Sequence, residues 1–308
     1  MEKLSRGAQA RARAFIFERG RLLEQAKFRY HFEGGPAETV FDALAPFQNE
    51  DGGFGHGLEA DLRTTSSSAL ATTVALQHLR EYGAGADHPL VQGAIRYLLA
   101  TYDADQEVWP IIPESANDAP HAPWWLLDEG VTERFGDYLA NPRAEIVGYL
   151  YDYAGLVPVT LREQLTAAVV QRLRAHGDAL NGEEIPCYVR LTRTETLPAD
   201  LRSDLVGHLA SVVDRVVAKD PTRWGEYGLA PLDVVERPDS PFAELLGGAV
   251  TEHLDYEIAQ HAEDGVWQPK WTWYGLYPEA WLQAKQEWSG YLTLRMLTIL
   301  RRFGRLEV

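Results

Sequence analysis

A short turn pattern that recurs between helical segments constrains this chain most. Each copy has a glutamine, then an acidic residue and glycine, then an aromatic residue. The copies lie at 48–54, at 260–267 and, in degenerate form, at 105–110. Glycine permits a sharp turn with positive φ, and the acidic side chain can cap backbone N–H groups. We therefore expect the glutamine and acid of the two complete copies to bond backbone groups at equivalent helix junctions. These residues are Gln48, Asp51, Gln260 and Asp264.

The rest of the chain has the periodicity of amphipathic helices. Apolar residues recur every three to four positions, proline or serine stands near several expected starts, and no segment alternates like a strand. The pattern predicts about ten helices. They are expected at 11–32, 36–47, 66–82, 88–102, 141–153, 161–176, 183–194, 198–219, 241–261 and 278–303.

The same pattern bears on domain organisation. No Gly/Ser-rich linker or low-complexity tract divides the 308 residues. Helix–turn–helix units that share one turn stack naturally into a ring or solenoid. We therefore expect residues 1–308 to form one all-α domain with negligible β structure.

Composition excludes several classes of function. The formal net charge of −16 repels phosphate backbones, so no nucleic-acid partner is expected. No apolar run approaches the roughly 20 residues of a membrane span, so no transmembrane segment is expected. Residues 1–21 lack the apolar core of a signal peptide, and Cys187 is the single cysteine. These features predict a cytoplasmic protein.

The repeated turns resemble those of a known superfamily. Segments 48–54 and 260–267 resemble the QW motif of squalene–hopene cyclases. Residues 51–55, followed by the Ser-, Ala- and Thr-rich segment 66–79, also resemble the Gly-Gly-Phe repeat of protein prenyltransferase β-subunits. The resemblance to the terpenoid-cyclase and prenyltransferase superfamily implies a single (α/α)6-type toroid. It further implies an isoprenoid-handling enzyme with a small hydrophobic or prenyl-type ligand in the barrel mouth.

Motifs that carry chemistry in that superfamily are absent from this sequence. The nearest string to the Asp-x-Asp-Asp acid is Asp103-Ala104-Asp105-Gln106, and Cys187 lacks the zinc-binding aspartate two residues before it. No Gly-rich phosphate loop or His-Glu-x-x-His pattern occurs. The sequence therefore assigns no reaction, cofactor, metal site or oligomeric state.

One loop concentrates candidate catalytic residues. His56, Glu59 and Asp61 lie just before a predicted inner helix, and Arg63 follows them as a candidate binding residue. His56 and Glu59 could act as acid and base, or share a metal with Asp61. The alternative is a network that caps the helix and ties the turn.

Two further clusters supply candidate binding residues. His121 and Trp124 stand in a proline-rich loop whose rigidity suits a pocket wall, and Trp271 and Trp273 belong to a tryptophan-rich stretch. Tryptophan can stabilise a carbocation, stack on a sugar ring or fill the core. In a toroid, loops that precede inner helices collect at one end. We therefore expect these residues and the loop at 55–63 to border one opening.

Two other functions are compatible with the sequence. A carbohydrate-active α/α barrel would use paired carboxylates and stacking tryptophans, in an open groove with carboxylates about 5–10 Å apart. A non-catalytic binding or scaffold toroid would have a filled centre. An apolar, closed cavity would instead favour the isoprenoid function.

Overall fold

The computed structural model describes residues 1–308 and is all-helical. It has thirteen α-helices, several short 3-10 helices and no β-strand, only isolated β-bridges. No helix meets the length and hydropathy needed to cross a bilayer. The prediction of an all-α chain is therefore confirmed. The helices are α1 Arg6–Arg19, α2 Leu22–Glu33, α3 Glu38–Leu44, α4 Ala69–Glu81, α5 Pro89–Ala100, α6 Val131–Arg134, α7 Arg143–Asp152, α8 Val159–His176, α9 Ile185–Thr192, α10 Ala199–Val216, α11 Pro231–Val234, α12 Gly247–Gln260 and α13 Pro278–Arg302.

The predicted helix at 11–32 is in fact two helices. Gly20 ends α1 in an extended conformation, with its N–H donating to the Ile16 carbonyl at 2.9 Å. The apolar periodicity continues through this break, so the pattern alone does not reveal it. A methyl group at Gly290 of α13 would lie 3.3 Å from the Gly20 Cα, so close packing of α13 accompanies the break.

The chain divides into two compact units. Unit 1 comprises residues 1–43 and 214–308, and unit 2 comprises residues 44–213. The expectation of one domain over 1–308 stays a prediction.

Unit 1 is built around the long helix α13, which packs against α1 and α2. In this unit, residues near the beginning of the chain also pair with residues near its end. The Leu4 N–H donates to the Arg305 carbonyl at 2.9 Å, and the Glu307 N–H donates to the Leu4 carbonyl at 3.1 Å. Helices α11 and α12 pack on each other in the same unit.

Unit 2 is centred on α7, which packs against α8 and α9 and also contacts α4. Helix α4 packs in turn against α5. Tyr149 of α7 and Tyr188 of α9 are among the largest fully buried side chains. Three of these helices, α4, α7 and α9, carry the polar residues described below.

The first turn is tied by its glutamine and aspartate, as predicted. Gln48 Nε2 donates to the Gly52 carbonyl at 2.9 Å and to the Leu90 carbonyl of α5 at 3.0 Å. Asp51 Oδ1 accepts from the Gly53 N–H at 2.8 Å. The glutamine thus joins its own turn to the next long helix.

The second turn uses its aspartate but not its glutamine. Asp264 Oδ1 accepts from the Val266 N–H at 3.1 Å, as predicted. Gln260 is exposed at the end of α12, so the prediction that it bonds the turn is wrong. One more residue separates Gln260 from its aspartate than separates Gln48 from Asp51, and one residue rotates a helical side chain by about 100°.

The aromatic residues of both turns share a partner that the sequence does not reveal. The Phe54 N–H donates to the Thr72 hydroxyl of α4 at 3.1 Å, and the Trp267 N–H donates to the Thr293 hydroxyl of α13 at 3.0 Å. Both threonines are buried in the helix that follows their turn. The two turns are therefore equivalent beyond their sequence motif.

The turn glycines pack in the same way. Gly52 has a φ of 91°, and a Cβ there would overlap the Gly93 carbonyl of α5. Gly265 has a φ of 66°, and a Cβ there would overlap the Ala8 carbonyl of α1. Each glycine therefore lets its turn pack directly on a helix backbone, because a side chain at either position would clash with that backbone.

The degenerate third copy forms a related turn. Glu107 takes the positive-φ position with a φ of 58°. Asp103 and Val108 exchange two backbone hydrogen bonds, of 2.9 and 3.2 Å. Trp109 is buried and its Nε1 donates to the Leu98 carbonyl at 2.7 Å.

Candidate functional site

Two of the predicted clusters meet through backbone pairing in unit 2. Leu62 and His121 form an antiparallel bridge. The Arg63 N–H donates to the Pro120 carbonyl at 3.0 Å, and the Ala122 N–H donates to the Asp61 carbonyl at 2.8 Å. The loop at 55–65 therefore lies directly beside the segment 119–122.

The two carboxylates of this loop are buried. Glu59 Oε2 accepts from the Asp61 N–H at 2.6 Å, so Glu59 caps its own turn. His121 is also buried, and its Nδ1 lies 2.7 Å from the Ala119 carbonyl. Because a carbonyl oxygen can only accept, Nδ1 carries a proton in this contact.

His56 has a clear role in tying the loop. It is exposed and has a φ of 56°, and its Nε2 lies 2.8 Å from Asn49 Oδ1. Asn49 Nδ2 in turn donates to the Thr65 carbonyl at 3.0 Å and to the Ser67 hydroxyl at 2.9 Å. Through Asn49, His56 is thus linked to the far end of the loop.

The remaining binding candidates of unit 2 flank these residues. Arg63 packs on Gly57, where an added Cβ would lie 3.0 Å from the guanidinium carbon. Trp124 is half-buried. Its neighbour Trp125 is buried and stacks on Phe135 at 5.0 Å, so only Trp124 presents a partly open ring.

The candidate tryptophans 271 and 273 belong to unit 1. Trp273 is fully buried and lies 5.7 Å from Trp281, ring centre to ring centre. Trp271 is half-buried and makes T-shaped contacts with Trp288 at 5.1 Å and Tyr227 at 6.0 Å. Trp271 is therefore the more open of the two candidates.

A buried polar network in unit 2 was not predicted. Glu145 of α7 accepts from the Tyr149 hydroxyl at 2.5 Å and from Gln77 Nε2 of α4 at 2.8 Å. Its second oxygen accepts from Arg190 Nη1 of α9 at 2.9 Å. Glu145 is buried, whereas Gln77 and Arg190 are partly exposed. The carboxylate thus fixes two polar side chains that reach solvent.

Arg80 extends this network. Its Nη1 donates to Asp152 Oδ2 at 3.3 Å and to the Thr194 hydroxyl at 3.1 Å, and its guanidinium lies 4.7 Å from the centre of the Tyr149 ring. Burial raises the pKa of Tyr149 well above its usual range, and the Glu145 carboxylate raises it further. Tyr149 therefore stays protonated and acts as a donor.

Sequence reasoning missed the network because its members are far apart in the chain. Glu145 has the position of an ordinary first-turn acid, and its partners Gln77 and Arg190 are 68 and 45 residues away. The only local signal is the spacing of Glu145 and Tyr149, four residues apart on one helix face.

Two grooves on the surface of the molecule contain none of the predicted site residues. One groove of 620 Å³ is lined by residues such as Tyr151, Arg174 and Leu201, and another of 430 Å³ includes Gln92 and Arg96. Neither contains a predicted site residue, and no group of three or more His, Cys, Asp or Glu side chains could hold a metal ion. Burial raises the pKa of the Cys187 thiol well above its usual range.

Comparison with known proteins identifies no relative of this chain. No protein-family model, no curated protein and no solved structure matches it. Function is therefore inferred from the turns and side chains above.

Proposed function

We propose that the chain is a single α/α toroid of the terpenoid-cyclase and prenyltransferase type, and that it is an isoprenoid-handling enzyme of the cytoplasm. The observation that carries this proposal is the equivalence of the two turns. In both, an aspartate accepts from the backbone, a glycine packs on a helix backbone, and the aromatic N–H donates to a buried threonine. A repeated unit of this kind is typical of ring and solenoid architectures.

The helices that the two turns contact support a ring. The turn between α3 and α4 packs on α5, the next long helix, at Gly93. The turn between α12 and α13 packs on α1, at Ala8. Helix α1 thus takes the place that follows α13, which is the order expected when helical repeats close on themselves.

The ligand in this proposal is a prenyl-type molecule in the barrel mouth. Trp124 and Trp271 supply partly open aromatic surfaces, which suit an apolar chain or a carbocation. Glu59 and Asp61 are the candidate catalytic carboxylates, and Arg63 and His121 the candidate binding residues.

A carbohydrate-active function is the second candidate, because of the Glu145 network. Gln77 and Arg190 are partly exposed and oriented from behind by a buried carboxylate. Such preorganised donors suit hydroxyl-rich ligands better than hydrocarbon chains.

A thermal-shift experiment separates the two candidates. Farnesyl and geranylgeranyl diphosphate are compared with malto-, cello- and chito-oligosaccharides, because a ligand at 100 times its Kd stabilises the folded state by about 2.7 kcal/mol. For the isoprenoid function we expect a shift with prenyl diphosphates that Trp124→Ala abolishes. For the carbohydrate function we expect a shift with oligosaccharides that Arg190→Gln abolishes.

Arg237→Gln is the matched control, since Arg237 is an exposed arginine that pairs with Asp239 on the surface. It should leave either shift unchanged. Failure of both ligand classes to shift the wild-type protein would contradict both functions and favour a scaffold role.

A further inference from the structure

A segment of unit 1 that we name the aromatic loop, residues 271–284, displays apolar side chains to solvent. Within it only Glu279 is charged, whereas 24 % of the whole chain is charged. Tyr274 is 80 % exposed and Leu282 is 68 % exposed, and Leu276 and Tyr277 are also exposed. Exposed apolar clusters of this kind mark surfaces that bind a protein, a membrane or a ligand.

The aromatic loop is held in one conformation by its own buried residues. Trp273 is fully buried and packs against Trp281. The Leu276 N–H donates to the Trp273 carbonyl at 2.9 Å, and the Trp281 N–H donates to the Tyr277 carbonyl at 2.9 Å. Because these contacts anchor the loop, its exposed apolar side chains have fixed positions at the surface.

The backbone of the loop is strained where it presents tyrosines. Tyr274 has a φ of 51° and Tyr277 a φ of 43°, in the left-handed region that residues with a Cβ disfavour. The Tyr274 side chain gains little burial in return. Strain without packing benefit indicates a role for the projected side chains outside the core.

A neighbouring helix start extends the same surface. Helix α2 begins with the exposed Leu22. The residues before it contact α13, because Gln286 Nε2 donates to the Arg19 carbonyl at 2.7 Å. Gln286 lies one helical turn beyond Leu282, so the junction of α1 and α2 contacts α13 next to the aromatic loop.

We propose that the aromatic loop binds the lipid–water interface of a membrane whose headgroups are zwitterionic and carry no net charge. Tyrosine, which the loop exposes at two positions, favours the headgroup level of a bilayer, and leucine favours the acyl boundary below it. A net charge of −16 disfavours anionic lipid. It also disfavours a second copy of the same chain, since two such charges repel each other.

The test is flotation with phosphatidylcholine vesicles. We expect the wild-type protein to float with the vesicles and the double variant Leu276→Asn/Leu282→Asn to lose partitioning by roughly tenfold or more, because two exposed leucines no longer enter the acyl boundary. The control is Leu126→Asn/Val159→Asn, which removes two exposed apolar side chains from unit 2 and should float like the wild type. Circular dichroism establishes that both variants are folded.

Three results would overturn the proposal. The first is a wild-type protein that stays in the subphase, and the second is a loop variant that floats as well as its control. Sedimentation could also show a wild-type dimer that the loop variant converts to monomer, which would make the loop an interface between copies. The vesicles contain no isoprenoid, so the outcome is independent of the proposed enzymatic function.

Discussion

The hydroxyl of Thr293 accepts the backbone N–H of Trp267 at 3.0 Å, deep inside unit 1. Thr72 accepts the N–H of Phe54 at 3.1 Å in unit 2. Both hydroxyls come from the helix after the turn, so each turn is completed by a residue outside its motif. A buried N–H that loses its only acceptor retains the full penalty of desolvation.

Replacing either threonine should therefore be destabilising although valine has the same shape. We expect Thr293→Val and Thr72→Val each to lower the free energy of unfolding by about 1–3 kcal/mol. Thr298→Val is the control, because the buried Thr298 hydroxyl donates to the Leu294 carbonyl of its own helix at 2.9 Å. Urea unfolding measures all three. A loss for Thr293→Val no larger than that for Thr298→Val would contradict the role of the hydroxyl.

The two glutamines of the repeat should differ in importance. Gln48 bridges its turn to α5 through two hydrogen bonds, whereas Gln260 is exposed. We expect Gln48→Ala to cost about 1–2 kcal/mol and Gln260→Ala to stay within about 0.5 kcal/mol of the wild type. Equal losses in urea unfolding would show that the sequence motif, and not the observed bonding, determines stability.

The aspartate of the first turn should behave like a helix cap. Asp51 Oδ1 accepts from the Gly53 N–H and from the Ser67 hydroxyl, both at 2.8 Å. We expect Asp51→Ala to lower the free energy of unfolding by about 1 kcal/mol. Asp51→Asn keeps an oxygen acceptor and should recover part of that loss. If chemical denaturation registers no loss for Asp51→Ala, the aspartate does not hold the turn.

The helices and the turns could be predicted because they depend on residues that are close together in the sequence. Features that depend on residues far apart in the sequence could not be predicted. Asp51 and Asp264 bond the next residue but one, so their roles follow from the motif. Glu145 bonds side chains from α4 and α9, and nothing near it in the sequence indicates them. Gly20 breaks a helix whose apolar pattern continues on both sides. The packing of distant helices determines the Glu145 network and the break at Gly20, and the apolar pattern of the sequence carries no information about that packing.

A buried carboxylate beside the second turn should make unit 1 sensitive to acid. Burial alone would raise the pKa of Glu257, but the hydrogen bond and charge of His253, the charge of Lys270 and the Trp267 hydrogen bond outweigh it and lower the pKa to about 2. A folded pKa below the unfolded value stabilises the fold above about pH 4.5, and this contribution is lost as the pH falls towards 2.

The Glu257→Gln variant isolates this contribution. Its amide keeps an acceptor for Trp267 Nε1, which donates to Glu257 at 2.7 Å, but it cannot titrate. We expect the wild type to exceed the variant in unfolding free energy by on the order of 3 kcal/mol at pH 6, with the difference shrinking steadily towards pH 3. Urea unfolding across this range measures the difference. A gap that does not change with pH would contradict the depressed pKa.

Relieving the backbone strain at Tyr274 of the aromatic loop should raise the stability of the protein. Tyr274 is 80 % exposed, so its side chain adds little to the core, yet its φ of 51° is disfavoured for tyrosine. Asparagine tolerates this conformation better, so Tyr274→Asn should raise the free energy of unfolding by about 0.5–1 kcal/mol. Tyr274→Ala removes the same exposed side chain but keeps a residue that disfavours positive φ, so it should bring no gain. Urea unfolding compares the two variants. If Tyr274→Asn proves no more stable than Tyr274→Ala, the left-handed conformation carries no strain, and the argument from strain for a role of the loop outside the core is contradicted.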